Sequence, residues 1–546
     1  MPDPAPVGAH PRAWLGAVVA AVVVVAVALV VLLGSGGGPK TPAVASLPPL
    51  HAHRAGPESM FTAALELTDN PVGTLNNLQS LGVDRVHIYM HWADIAPDPT
   101  SRHRPAFNAA DPAAYPAKGW AAFDAVIRDA KARGIGVDLA LVAPPPLWAA
   151  GKGAPGSQPQ PEWHPSAAEF GEFVHAAGVR YGGTYVPSGA SRPLPRVDFW
   201  SIWNEPNLGT QLAPEARAHG QIEVAPDLYR GIVDAAWSAF AATGHGHDTL
   251  LIGELAPAGE SHGVGNFNNM PPLRFLRALY CVGADYRPLQ GAAARIRGCP
   301  ATTGVSARFR ALHPGLFRAT GFADHPYPQG LAPDTVTPDE PDYAELAAIG
   351  KLERTLDTLQ RVYGSHARFP IWSTEFGYQT TPPDTESGTV SPTTAASWLN
   401  WAEYLTWSDP RQRSYDQYQL TDSPAGNFAT GLLTATGAPK PGYVAYRMPL
   451  YLPATATTAR HPLVVWGCVR PAPDAARTSH HPQQVQIQFK PDSGSGFTTV
   501  QTVKLTGPHG YFEVRQTFSG SGTVRLAWSY PRGPQIFSRE QAVTVG

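Results

Sequence analysis

Short β-rich runs recur at residues 61–67, 83–90, 135–142, 197–203, 250–253, 321–325, 370–375 and 415–420, with helical patterns or long loops between them. A strand followed by a helix returns parallel to its neighbour, because only a long crossover can reverse the chain direction twice. Eight such units predict an (α/β)8 TIM barrel. The helical stretches carry their own signals. Residues 120–133 place Phe123, Val126 and Ile127 on one face and stop at Gly134, and residues 342–363 do the same with Leu346, Ile349, Leu352, Leu356 and Leu359. Ser166-Ala167-Ala168-Glu169 reads as a capping box, in which the two side chains satisfy free backbone N–H groups reciprocally. A doubly wound open sheet is the other arrangement with this alternation. It would want a glycine-rich phosphate turn after an early strand, and the sequence has none.

Both ends of the chain depart from this pattern. The tail alternates with period two, in Gln484-Val485-Gln486-Ile487-Gln488-Phe489-Lys490 and again at Val524, Leu526 and Trp528, with Gly/Ser turns between and no helix-period segment. It predicts an antiparallel β-sandwich over 453–546, after a barrel over 58–452. At the other end, residues 13–33 contain no charge and are Val-, Ala- and Leu-rich. At about 1.5 Å per residue they are long enough for the roughly 30 Å hydrocarbon layer, and longer than the usual apolar region of a secretion signal. The expectation is a cytoplasmic tail over 1–12, a transmembrane anchor or signal segment over 13–33, and a Gly/Pro linker over 34–57. Ala43-Val44-Ala45 keeps the cleaved-signal alternative open. Either way the rest of the chain is expected outside the cell, bound to the membrane through that helix or secreted.

Composition removes several function classes. With 41 basic and 43 acidic residues the net charge is −2, so the chain carries no overall positive charge to draw it to nucleic acid, and no nucleic-acid partner is expected. Three cysteines are too few for a disulfide scaffold, and no Cys-x-x-Cys pair points to zinc. A monomer needing no metal or organic cofactor is expected. In an oxidising compartment Cys281 and Cys299 could close the insertion after the fifth strand, leaving Cys468 unpaired.

The chemistry of a TIM barrel is carried at the C-terminal ends of its strands. The fourth strand runs into Trp203-Asn204-Glu205-Pro206-Asn207, and the seventh into Thr374-Glu375-Phe376-Gly377. Each delivers one glutamate into a Trp-rich neighbourhood. Two carboxyl groups across an aromatic-lined cleft are what glycoside hydrolysis requires: one protonates the departing oxygen, the other meets positive charge at the anomeric carbon. Glu254 ends the fifth strand and is the rival carboxylate, read as a structural or subsite residue.

These segments resemble the signatures of the clan A glycoside hydrolases, leaning toward the cellulase-like and the β-xylosidase/α-iduronidase-like families. Trp92-Ala93-Asp94-Ile95-Ala96-Pro97, Pro146-Leu147-Trp148-Ala149, Asp324-His325-Pro326-Tyr327, and Gly431-Leu432-Leu433 followed by Pro439-Lys440-Pro441 fit the same resemblance, which covers roughly residues 58–452. It implies a retaining enzyme with Glu205 as general acid and then base, and Glu375 as nucleophile. Asn204 would hold the sugar 2-hydroxyl, His325 and Tyr327 would position substrate and Glu375, and Trp92 and Trp148 would contribute to substrate binding. Two departures bear on the substrate. Relatives often carry Arg on strand two where His87 stands here, with Arg85 two residues earlier, so either the register shifts or His87 replaces that charge as a substrate-binding residue; they also commonly carry a Trp after strand eight, where Tyr415-Asp416-Gln417-Tyr418 has none. The expected partner is a poly- or oligosaccharide. The alternative is a catalytically silent carbohydrate-binding envelope protein on the same scaffold.

Overall fold

The computed structural model describes residues 50–51, 55–302 and 306–546. The stretch expected to anchor the chain, 13–33, lies outside the described residues, among which no helix is long and apolar enough to cross a membrane. Eight strands form one parallel sheet: β1 (Glu58–Thr62), β2 (Arg85–His91), β3 (Gly136–Val142), β4 (Phe199–Ile202), β5 (Thr249–Leu255), β6 (Gly321–Asp324), β7 (Ile371–Ser373) and β8 (Ser414–Tyr418). They run in chain order from β1 to β7, and β8 returns to pair with β1 from Glu58↔Ser414 to Thr62↔Tyr418. The barrel is closed between β7 and β8 by backbone bonds from Ile371 to Arg411, Arg413 to Ile371 and Tyr418 to Phe376. The first run was expected at 61–67. The strand instead ends at Thr62 and a short helix, Ala64–Asp69, takes over.

Helices α1 (Pro71–Leu81), α2 (Ala117–Arg133), α3 (Ala167–Arg180), α4 (Ala225–Ala242), α5 (Ile349–Val362) and α6 (Pro392–Ser408) lie between strands. The expected capping box at α3 forms only in half. Ser166 Oγ accepts from the Glu169 N–H, but the Glu169 carboxylate goes to Arg104 (2.7 Å) and the Ser166 N–H to the Ala149 carbonyl. Helix α5 is shorter than the period suggested. It starts at Ile349 after a 3-10 turn, Leu346–Ala348, and buries Leu352, Leu356 and Leu359.

The tail forms β9 (Leu450–Tyr451), β10 (Leu463–Cys468), β11 (Gln483–Pro491), β12 (Thr498–Leu505), β13 (Tyr511–Gln516), β14 (Gly522–Ser529) and β15 (Gln541–Val545). Strands β9, β10 and β13 make one antiparallel sheet; β15, β14, β11 and β12 make the spine of a second. Their inner faces share a core of Leu450, Val465 and Phe512 from the first with Val485, Ile487, Val524, Leu526 and Trp528 from the second. Alternation therefore marked the buried face correctly. One helix, α7 (Ala472–Ser479), interrupts the tail where none was expected. Only Ala472 and Ala475 of it are buried, too weak an apolar stripe to register as a period.

Cys281 and Cys299 are joined by a disulfide, and Cys468 is free and buried. The bridge closes a loop of 18 residues, for which chain entropy gives about 3 kcal/mol. Replacing both cysteines by serine should lower unfolding free energy by about that amount, read as a shift of the urea midpoint. A midpoint within error of the parent's would show that the loop gains nothing from closure.

Candidate active site

The C-terminal mouth of the barrel opens into a cleft of about 1050 Å³ whose walls include Asn204, Glu205, Tyr327, Glu375, Tyr418 and Phe428. The chain reaches this mouth through unusual backbone. Trp203 (φ +69°), Glu205 (φ +40°) and Glu254 (φ +50°) all occupy the left-handed region, which costs a non-glycine residue about 1 kcal/mol or more. The turn after β4 is held by cross-links to β5. Glu205 N–H donates to the Glu254 carbonyl (2.8 Å), while the buried Asn207 amide donates to Ala256 O (3.0 Å) and Met270 O (2.9 Å) and accepts from Ala256 N–H (3.0 Å). Asn207 was part of the motif, yet sequence reasoning gave it no role.

Glu205 and Glu375 face one another across His325. One oxygen of each carboxylate and a ring nitrogen of His325 all lie within 4.8 Å of one another. His325 Nδ1 stands 3.0 Å from Glu205 Oε1 and 3.4 Å from Glu375 Oε1, and its Nε2 is 2.8 Å from Glu254 Oε2. Both ring nitrogens can donate at once only in the imidazolium form. Burial would push His325 down, but the charge of Glu375 and the hydrogen bonds to Glu205 and Glu254 overcome it and hold it well above the usual imidazole range. Glu375 receives Tyr327 O–H on Oε2 (2.8 Å) and Tyr89 O–H on Oε1. Burial pushes Glu375 up to about 7; the charge of His325 and the two phenol donors oppose this, and the charge of Glu205 adds to it. So in the free protein the nucleophile candidate, expected to be the ionised member, is itself poised near neutrality.

This arrangement sets up a signed expectation. Tyr327→Phe removes a donor that favours the Glu375 carboxylate, so that carboxyl should titrate above about 7. The acid limb of kcat/KM for any reaction needing ionised Glu375 should then move to higher pH by about one unit. A pH–rate profile checks it, and a shift to lower pH would contradict the assignment of Tyr327 as a donor.

The remaining expected site residues divide. Asn204 lines the cleft, and its Oδ1 is buried without a hydrogen bond inside the protein. His325 is fully buried, so it meets the carboxylates and not the cleft. Three expectations are corrected. Trp92 and Trp148 do not line the cleft: Trp92 is fully buried and stacks on Phe173 of α3 at 5.8 Å, and Trp148 packs edge-on against Trp92 at 5.9 Å with its N–H on Pro97 O. Their rings fill the core, where large apolar area is worth most. His87 is not a substrate contact either. It lies fully buried inside the barrel, 3.8 Å from Glu254 and 4.0 Å from Asp138, while Arg85 pairs with Glu58 (2.8 Å) and caps the Phe199 ring. Burial brings His87 down to about 4, so it is neutral and does not replace the strand-two charge.

Sequence reasoning missed Tyr89, which sits between His87 and His91 on β2 at the two-residue spacing that puts all three on one face. That spacing was a usable signal once His87 had been singled out. It also missed Phe428, which packs edge-on against Tyr327 (5.5 Å) and Tyr418 (5.6 Å) in the wall of the cleft, where strand eight brings no Trp. Among the described residues, two His/carboxylate clusters come close enough to raise the question of a metal. In one, both nitrogens of His325 are already engaged with carboxylates. In the other, the His87 to Glu254 and Asp138 separations of 3.8 and 4.0 Å are wider than the about 3.4 Å between ligands of a tetrahedral ion at about 2.1 Å.

No protein-family model and no curated protein matches the chain. Among solved structures it is similar to a family 39 glycoside hydrolase from the gut symbiont Bacteroides cellulosilyticus WH2 (14% identity, 85% of this chain and 80% of that one, TM-score 0.44). It is also similar to a glucosidase from Croceicoccus marinus (12%, 91% and 98%, 0.45) and to a family 1 β-glucosidase from Thermotoga maritima (14%, 70% and 86%, 0.41). At these identities the likeness is one of fold alone.

Proposed function

We propose that this chain is a retaining glycoside hydrolase acting on an extracellular poly- or oligosaccharide. The observation that carries the reading is the approach of Glu205 and Glu375 within 4.8 Å at the barrel mouth, in one cleft. Double displacement calls for about 5–5.5 Å between carboxyl groups, whereas inversion needs about 6.5–9.5 Å to admit a water. In the first step a Glu375 oxygen bonds to the anomeric carbon as the bond to the leaving oxygen breaks, and Glu205 gives that oxygen its proton. In the second, Glu205 takes a proton from water, the water oxygen bonds to the same carbon, and the Glu375 ester breaks. Glu205 is the more exposed of the pair (17% against 7% for its side chain), which suits the group that must meet both leaving group and water. In this reading Asn204, which lines the cleft, holds the 2-hydroxyl, and Tyr327, whose O–H donates to Glu375, orients that carboxylate.

The test is a panel of aryl glycosides with the full-length chain, with the first-formed product followed by proton NMR. Hydrolysis with the anomeric configuration kept supports the proposal. Tight sugar binding without turnover by the intact protein would move the assignment to the silent binding protein. An extracellular location, anchored or secreted, belongs to the same proposal. The Cys281–Cys299 bridge supports it, since disulfides persist where the environment is oxidising.

A further inference from the structure

Glu254 has no part in the two-carboxylate scheme, yet the fold goes to some length to place it. It stands at a register break in the β5–β6 pairing, between Gly253 and Leu255, with a left-handed backbone. Such a bulge turns a side chain off its strand's normal alternation. The side chain is fully buried, and its Oε2 takes both His325 Nε2–H (2.8 Å) and Thr374 Oγ–H (2.8 Å). Thr374 directly precedes Glu375, so Glu254 touches the segments that carry Glu375 and His325. On the far side of the imidazole, Nδ1 faces Glu205 and Glu375.

We infer that Glu254 is a positioning residue for the double displacement proposed above: it holds His325 as a two-sided cationic donor, and so sets how the proton is shared between Glu205 and Glu375. The inference rests on the glycosidase reading for its consequence, but not for its geometry. A neutral imidazole has one N–H, and could serve Glu254 or the catalytic pair but not both.

The other groups around His325 leave Glu254 as its counter-charge from below. His87, on β2, is brought down to about 4 by burial and is neutral. Burial drives Asp138 on β3, Asp324 on β6 and Asp416 on β8 well above the usual carboxylate range, so their charged forms are disfavoured. Burial likewise keeps the phenols of Tyr89, Tyr327 and Tyr418 protonated. Glu254 is the exception among the buried acids. Burial would raise it too, but the hydrogen bond and positive charge of His325 hold it below the usual range.

Glu254→Gln keeps shape and an acceptor for His325 Nε2–H while removing the charge. His325 should then lose its second proton more readily, Glu375 should lose a stabilising cation, and the acid limb of kcat/KM on an aryl glycoside should rise by about one pH unit. KM should stay within about twofold, since the residue does not line the cleft. Thr374→Val, which removes only one donor, should move the limb the same way by less. A structural role alone would lower kcat without moving the limb, and that result would overturn the inference. Should Glu254→Gln fail to fold by circular dichroism, Thr374→Val decides. Imidazole nitrogen NMR, assigned with a His325→Gln control, provides a readout without substrate: the second imidazolium proton should be lost at lower pH in Glu254→Gln than in the parent. Unchanged protonation would sink the inference even if hydrolysis is found. A parent that cleaves no glycoside would sink the functional reading while leaving this measurement to decide the role of Glu254.

Discussion

Glu375→Gln should reduce hydrolysis of every aryl glycoside to background, and Glu205→Gln should do so selectively. The difference follows from the roles proposed above for the two groups. Without Glu375 there is no atom to bond to the anomeric carbon, and a good leaving group cannot compensate. Without Glu205 only proton transfer is lost, a contribution of about 10²–10⁴-fold. That loss should be large for an alkyl or sugar leaving group and small in the first step for a phenol acidic enough to depart unprotonated. In the second step an added small anion such as azide needs no base. It should restore turnover of Glu205→Gln and give a glycosyl azide of the original configuration, with no such rescue for Glu375→Gln in that configuration. The measurement is a comparison of initial rates across leaving groups, with product analysis. Equal loss in both variants over the whole series, without azide rescue, would leave no distinct acid/base role for Glu205.

The largest expected effect on stability lies away from the cleft, at a buried ion pair. Arg470, just after β10, and Glu403, on α6, meet at 2.5 Å with both side chains about 1% exposed. Tyr511 O–H donates to the other Glu403 oxygen (2.8 Å), and Arg470 Nε donates to the Tyr446 carbonyl (2.5 Å). Around them Trp407 on α6 packs with Trp466 and Tyr511 of the tail strands. Arg470→Met would leave Glu403 in this apolar setting without its cation. Removing one member of a buried pair costs about 3–5 kcal/mol. Burial already raises the Glu403 carboxyl, with Arg470 opposing it. Losing Arg470 raises it further, so the stability loss should grow as pH rises through that range and shrink toward acid, where the group binds its proton in folded and unfolded chain alike. Urea titrations at two pH values read this directly. A double change to Arg470→Met with Glu403→Leu should recover most of the loss, because no charge is then left without a partner. An unchanged midpoint in the single variant would mean that the carboxyl finds water or another cation.

Much of the architecture was legible because backbone period is a local property. Val485, Ile487 and Phe489 alternate in the sequence and face the core of the tail sheets. Gly134 ends α2 in a left-handed conformation, where a glycine signal stood in the sequence. The elements that escaped had weak or competing local signals. Helix α7 buries only two small residues, the first strand shared its apolar run with a helix, and Glu169 left its capping box for Arg104.

The site was legible to the same depth and no further. Glu205 and Glu375 could be picked out because each ends a strand within a recognisable segment, and the position of a strand end in the sequence is local information. Which aromatic rings face the cleft and which fill the core is not local: Trp92 and Trp148 were expected in a binding wall and lie in the core. Short-range period and turn chemistry were enough to set the order of strands and helices and to put one glutamate at each of two strand ends. That His325 is wedged among three carboxylates, that Tyr89 joins Tyr327 on Glu375, and that Glu254 turns inward are relations visible in three dimensions alone. Those relations depend on strand register and barrel closure, which bring together side chains from five different strands or their exits and thereby fix the local field that sets each proton.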